Sequence, residues 1–272
     1  MAVAAPHPGP GSWAGASSAA ADPDGGFVIA YRLRTQDRRG AQVVVATSAD
    51  GVRLETAEVL EKERFGAESL ERPAIVRLEH GWRLYVSCAT PGSKHWRVDA
   101  LDASQPGSFH ASPARTVFPG SEQVGVKDPV VRREGDRWHA WVCCHPLDVP
   151  GEEDRMTTAN ATSDDGLEWR WAGEALAGRP GHWDARGARV TAVLADGRAA
   201  YDGRASSEEN FSERTGVAVP SGRPGGLDAI GDAPIAGVRY LDVVPIPSGG
   251  YLLYYEQPRP DGSHDLCVER LG

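Results

Sequence analysis

A pattern returns five times along the chain, at intervals near a fifth of its 272 residues. In each copy a hydrophobic stretch runs into a polar or glycine-containing turn, and a second, aromatic-rich stretch follows. The second stretches begin at Phe27, Trp82, Trp138, Arg198 and Tyr251, giving steps of 55, 56, 60 and 53 residues. The clearest pair sets Pro73–Cys88 against Pro129–Cys144, where proline, tryptophan, valine and the closing cysteine coincide at an offset of 56. A fixed period of this length signals a repeat architecture, in which each unit is one supersecondary element that buries its faces against its neighbours.

The units read as strands. Phe27–Tyr31, Gln42–Ala46, Trp138–Val142 and Tyr251–Tyr255 are short, rich in β-branched and aromatic residues, and bounded by Gly, Pro, Asp or Ser. The 32 glycines and 20 prolines leave little room for a long helix, and Ala57–Phe65 reads as irregular or a single turn. A unit of this length fits four strands of roughly 5–6 residues with their turns. Four-stranded antiparallel units arranged radially make a propeller. The expectation is therefore an all-β, five-bladed β-propeller forming one domain over residues 1–272, with 1–12 as a flexible tail. A β-sandwich explains the strand content but not the regular recurrence. Blade five is completed by Leu266–Arg270, or by an N-terminal strand that clasps the two ends together.

A second element recurs. Ala46–Leu54 echoes Ala161–Trp169 around a Ser-x-Asp-Gly core. Ser and Asp accept backbone hydrogen bonds in such a turn and Gly takes φ > 0. Each copy falls where a third strand turns into a fourth, and its role is structural.

Composition narrows the class. A net charge of −9 argues against a nucleic-acid surface. No apolar run approaches the ~20 residues that cross a bilayer, and the N-terminus lacks the basic and apolar regions of a signal peptide. The four cysteines, Cys88, Cys143, Cys144 and Cys267, lack zinc-ligand spacing and read as thiols in a reducing compartment. The expectation is a cytoplasmic protein with no metal, no cofactor, no nucleic-acid partner and no membrane contact. No phosphate-binding glycine loop, dinucleotide fingerprint or nucleophile elbow is present.

In a propeller the first strand of each blade lines the central axis, so residues at its start converge on one mouth. The segments at those places begin at Trp13, Glu71, Lys127, Asp184 and Arg239. Four of the five open on charge. Charges of both signs gathered in a narrow channel mark either a ligand site or an internal ion-pair network. Arg72, Lys127, Arg186, Arg189 and Arg239 point to an anionic or highly hydroxylated ligand, because the guanidinium fork matches carboxylate or phosphate oxygens. The alternative pairs each with a channel carboxylate, for example Arg72 with Asp128 or Arg239 with Asp242. Trp13, Trp96, His182, Trp183 and Tyr240 fall near blade starts and suit stacking on a sugar face, whereas Trp82, Trp138 and Trp141 suit packing between blades.

Glu71-Arg-Pro and Lys127-Asp-Pro, each followed by strand, turn and aromatic strand, together with Ser163–Trp169, resemble the blade motifs of five-bladed propeller glycoside hydrolases, the superfamily of arabinanases, xylosidases, invertases and levansucrases. The resemblance implies carboxylates on separate blades acting as general acid, base or nucleophile, and transition-state stabiliser. Asp128 matches its Asp-Pro position. The chain departs from the pattern at blade one, where Trp13-Ala-Gly-Ala-Ser-Ser carries no carboxylate, and at blade four, where Arg186-Gly-Ala carries none. Glu71, Asp184 and Asp242 are the replacements at hand. The catalytic set expected is Asp128, Glu71 and Asp242, with Arg72, Lys127, Arg186, Arg239, Trp13, His182, Asp184 and Tyr240 as substrate contacts. The function expected is binding and cleavage of a small sugar or glycoconjugate. A non-catalytic carbohydrate-binding or scaffold propeller, or an enzyme acting on a non-sugar substrate, remain as alternatives.

Overall fold

The computed structural model describes all 272 residues. Nineteen strands fall into five groups. Blade one holds β1 (Trp13–Ala21), β2 (Phe27–Arg34), β3 (Gln42–Ser48) and β4 (Glu55–Glu61). Blade two holds β5 (Leu70–Arg77), β6 (Trp82–Ala89), β7 (Trp96–Ala103) and β8 (Arg115–Phe118). Blade three holds β9 (Val124–Glu134), β10 (Arg137–Pro146), β11 (Thr157–Ser163) and β12 (Arg170–Leu176). Blade four holds β13 (Gly187–Val193), β14 (Ala199–Arg204), β15 (Arg214–Pro220) and β16 (Leu227–Ile230). Blade five holds β17 (Arg239–Pro245), β18 (Tyr251–Pro258) and β19 (His264–Leu271). Helix is limited to short 3-10 turns, one of them at Lys62–Phe65 within the segment expected to be irregular. No helix is long and apolar enough to cross a membrane.

Within each blade the strands pair antiparallel in chain order. The first strands touch one another in a closed cycle, β1 to β5 to β9 to β13 to β17 and back to β1. The recurrence near every 55 residues is thus a radial array with its first strands innermost. Second strands are paired along both edges, and all eight residues of β6, Arg83 and Ser87 included, are buried. Outermost strands face solvent, and five of the seven residues of β12 are exposed.

Blade five closes differently. β19 pairs with β18 on one side and, in parallel, with β1 through His264 and Trp13 on the other. The stretch expected to be a loose tail is tied down along the same edge. Ala2 N and Val3 N donate to Leu266 O at 2.8 and 3.0 Å, Leu266 N donates back to Val3 O at 2.9 Å, and Ala5 N donates to Asp265 Oδ1 at 2.8 Å. A clasp joins the ends, and blades five and one share one seven-stranded sheet.

The core is layered between blades. Val28, Leu60, Ile75 and Leu84 pack between blades one and two. Tyr85, Val98, Val126 and Val142 fill the next layer, and Val130, Trp141, Val190 and Tyr201 the one after. Ile29, Val44, Leu252 and Tyr254 seal blade five to blade one. Charged and polar groups hold the junction of blades four and five instead. Arg239 Nε lies 2.7 Å from Glu213 Oε2, Tyr240 N donates to Asp202, and Thr215 Oγ1 donates to Val238 O at 2.9 Å.

Both Ser-x-Asp-Gly turns form as their chemistry requires. Ser48 Oγ accepts from Gly51 N and Asp50 Oδ1 from Val52 N and Arg53 N, each at 2.9 Å. Ser163 and Asp165 repeat the arrangement at Gly166, Leu167 and Glu168. Gly51 and Gly166 take φ of 76° and 73°.

Candidate functional site

Every innermost strand carries one residue more than its partner at a single point. The irregularities lie between Gly15 and Ser18, Glu71 and Ala74, Lys127 and Val130, Val190 and Ala192, and Arg239 and Asp242. Such bulges kink a strand and re-aim its side chains. Three of them hold a non-glycine residue in the left-handed region: Ala16 at φ 51°, Asp128 at 52° and Tyr240 at 53°. Phe211, the one other such residue, takes φ 75° on the wall of the mouth. A bulky residue at positive φ is strained and persists only where its surroundings over-determine it. All four of these strained residues lie in or beside the channel.

The bulges open onto a cavity of about 170 Å³ at the mouth where the inner strands begin. Seven cations line it, Arg32, Arg39, Lys94, Lys127, Arg189, Arg204 and Arg239, against four carboxylates, Glu71, Glu153, Asp154 and Glu213. Trp13, Trp96, Phe211 and Tyr240 supply aromatic walls. The volume suits a single small molecule and falls short of the range typical of drug-sized ligands.

One flank is a chain of alternating charge. Arg32 bonds Glu71 at 2.7 Å and Glu256 at 2.5 Å. Arg239 bonds Glu256 at 2.8 Å and Glu213 at 2.7 Å. Arg204 bonds Glu213 at 2.8 Å and lies 3.8 Å from Asp154, which Arg186 holds at 2.8 Å. Burial pushes the Glu71 carboxyl up, but Arg32, Lys127 and Arg34 outweigh it and hold the group at about 2. Burial is likewise overcome at Glu213 by Arg239, Arg189 and Arg204, and at Glu256 by Arg239, Arg32 and His264, each carboxyl sitting at about 2. These groups are ionised at neutral pH.

The opposite flank is cationic and nearly free of carboxylates. Lys127 Nζ and the Arg39 guanidinium lie 4.8 and 5.8 Å from the Trp96 ring centroid, and Lys94 lines the same cavity. Lys127 has one ion-pair partner, Asp128, at 3.6 Å, and its charge also reaches Glu71. His145 sits behind this flank. Burial and then Lys127 push its imidazole down to about 3, so it is neutral, with Nδ1 2.7 Å from Glu153 O.

A plug closes the channel beneath. Arg189 Nη1 donates to Asp128 Oδ2 at 3.1 Å and lies 2.8 Å from the Tyr240 hydroxyl, and Arg189 Nη2 donates to Asp202 at 2.6 Å. Asp128, Asp202, Arg189 and Tyr240 are at most 2% exposed.

The structure brings Glu71, Lys127, Arg239, Trp13 and Tyr240 together at the mouth. It separates the other expected residues. Asp128 lies in the plug and lines no cavity wall at the mouth. Asp242 and Arg72 line a different cavity at the far end of the channel. Asp184 is fully buried, where it accepts from the Tyr201 hydroxyl at 2.7 Å and from Arg179. Arg186 does not line the mouth and is spent on Asp154, which does. His182 is half exposed, with Asp232 at 3.9 Å. Of the two ion pairs suggested as alternatives, Arg239 chooses Glu213 and Glu256 over Asp242, and Arg72 has Asp242, at 3.9 Å, as its ion-pair partner.

Arg32, Glu256, Asp202 and Arg204 were missed because second strands were read as packing elements. The signal was present for three of them, each a charged residue ending an apolar run, as in Phe-Val-Ile-Ala-Tyr-Arg32, Ala-Ala-Tyr-Asp202 and Tyr-Leu-Leu-Tyr-Tyr-Glu256. Glu213 lies just before β15 and carries no comparable mark.

No family model matches the chain, and no curated protein matches it. Solved structures do. A thermostable family-43 glycoside hydrolase superposes with a TM-score of 0.73 at 13% identity, over 95% of this chain and 89% of that one. An alpha-L-arabinofuranosidase from Lactobacillus brevis gives 0.69 at 11% identity, over 94% and 90%. A beta-1,2-mannobiose phosphorylase from Listeria innocua gives 0.67 at 13%, over 94% and 89%. At these identities the likeness is one of architecture, and the chain has the five-bladed propeller fold of glycoside hydrolases.

Proposed function

We propose that the mouth binds a small anionic sugar, a hydroxylated ring carrying a carboxylate. The observation that carries this is the flank of Arg39, Lys94 and Lys127, three cations lining one small cavity with a single ion pair among them, Lys127 to Asp128, on a chain whose net charge is −9. The anion docks on the Arg39, Lys94 and Lys127 flank, where the cations are largely uncommitted. The ring packs against the aromatic walls, and its hydroxyls meet the ionised Glu71 and Glu213. A flank of sparsely paired cations on a chain of net negative charge is complementary to an anion.

Cleavage is the second reading, supported by the likeness in fold and by Glu71 at the start of an inner strand. Glycoside cleavage uses two carboxyls of divided acid strength, one protonated. Glu71 and Glu213 are both held at about 2, which suits them to accept hydrogen bonds and not to donate a proton. This favours binding over cleavage.

Calorimetric titration at low salt tests both readings. Glucuronate should bind, glucose should bind at least about tenfold more weakly, and Lys127→Met should weaken glucuronate by about tenfold, the worth of one charge-assisted hydrogen bond. Equal affinity for glucose and glucuronate would remove the anion from the proposal, and glucose 6-phosphate binding above glucuronate would assign the flank to phosphate. Turnover of 4-nitrophenyl glucuronide that Glu71→Gln abolishes would establish the hydrolytic reading instead.

A further inference from the structure

The far end of the channel holds a second cavity, of about 310 Å³, cut off from the mouth by the buried plug of Asp128, Arg189 and Tyr240. It is built from the other ends of the inner strands, and its chemistry is the reverse of the mouth's. Thirteen of its eighteen lining residues are apolar, among them Ala20, Ile75, Val131, Val193 and Val243. Arg72 and Asp242 face it from the channel side.

Arg72 is 1% exposed. Its Nε donates to Ser17 O at 3.2 Å and its Nη2 to Thr191 O at 2.7 Å. Its Nη1 is buried and has no partner. Asp242 accepts from Ala19 N at 2.9 Å through Oδ2, while Oδ1 lies 3.9 Å from Arg72 Nη2. An unpartnered guanidinium nitrogen buried beside an apolar well is costly unless something accepts from it. Arg132 also lines the cavity but is committed to Val193 O, Leu194 O and Glu134, which leaves one positive and one negative group, Arg72 and Asp242, and no net preference for an ion. The floor offers a donor beside an acceptor.

We infer that this cavity is a binding site for a small neutral molecule with an apolar body and an amide-like head. The carbonyl oxygen accepts from the Arg72 guanidinium, the amide N–H donates to Asp242, and the body fills the aliphatic walls. The volume lies within the range of small-molecule sites, which pair apolar linings with a few placed polar groups. The carboxylate of Asp242 disfavours an anionic head. The plug makes the site independent of whatever occupies the mouth.

Benzamide, benzoate and ethylbenzene are the probes, read at neutral pH by methyl resonances of the whole chain. Benzamide should shift the methyls of Ile75, Val131 and Val243 saturably, with benzoate and ethylbenzene at least about tenfold weaker, and Arg72→Met should weaken benzamide by a similar factor. Ethylbenzene equal to benzamide would show that the head makes no contact, and benzoate tighter than benzamide would show an anion site. Either result, or an absence of shifts at saturating benzamide, overturns the inference. Should Arg72→Met fail to fold, the ranking of the three probes on the unaltered chain decides by itself.

Discussion

At the scale of residues, Gly15 explains how the chain manages without a carboxylate at the start of blade one. Its counterparts in the bulge pattern are Glu71, Lys127 and Arg239, all long charged side chains. A Cβ at Gly15 would stand 2.4 Å from Glu256 Oε2 and 2.6 Å from its Cγ. The empty position is therefore filled from β18, and Glu256 supplies the charge that blade one lacks. Glu256 cannot step aside, because Arg32, Arg239 and His264 all hold it. Gly15→Ala should lower unfolding free energy by about 3 kcal/mol, between the cost of an overfilled core and that of a broken buried ion pair. Urea unfolding reads this, and adding Glu256→Asp should restore part of the loss by shortening the obstructing side chain. An unchanged midpoint in the single variant would mean that the pocket around Glu256 relaxes freely. Glu256 itself was hidden in the sequence for a physical reason: a residue reached across two blades leaves no trace in local spacing, only the oddity of a charge ending an apolar strand.

At the scale of elements, the strands were legible because their cues are local. Apolar runs, Asp-Gly turns and aromatic second strands each lie within a dozen residues. Register was harder. Blade four was aligned on Asp184, yet the residue that enters the plug is Arg189, 61 positions after Asp128. The 60-residue step before Arg198 already recorded an insertion there, and it falls ahead of the inner strand, not after it. The N-terminal segment misled in the opposite direction. Its proline and glycine content reads as loose, but pairing with β19 depends on a partner more than 250 residues away, which composition cannot register. Four hydrogen bonds fasten residues 2–5 to Asp265 and Leu266. At roughly 0.5–1 kcal/mol net for each bond, and with Ala2 and Val3 packed against the core between blades five and one, deleting residues 1–5 should cost about 2–3 kcal/mol. In a chain of this length that is roughly a 5–10 °C fall in melting temperature. A melting temperature within about 1 °C of the intact chain would show the clasp to be ornamental.

At the scale of the whole molecule, four junctions between blades are apolar layers and one is ionic. Glu213 and Glu256 ordinarily ionise near 4.5 and are held at about 2 in the fold, as is Glu71. Groups whose folded value is depressed add stability that is complete above their unfolded value and lost as pH falls through the folded one. Asp202 and Asp242, raised by burial, act in the other sense and offset part of this. Stability should therefore drop by on the order of 3–4 kcal/mol between pH 7 and pH 3.5. Denaturant midpoints measure the drop, and hydrogen exchange should find β13–β17 the first region to lose protection. Uniform loss across all five blades would contradict an ionic weak point.

The parallel pairing of β19 with β1 gives that weak point a direction. Blade five is stitched to blade one by backbone as well as by oil, so when the charged joint gives way the last blade swings with the first. The circle then parts into an open arc whose cut runs through the charged flank of the mouth, between Arg239 and Glu213. Acid would release a guest from this protein by unfastening the rim around it, long before any sheet had melted.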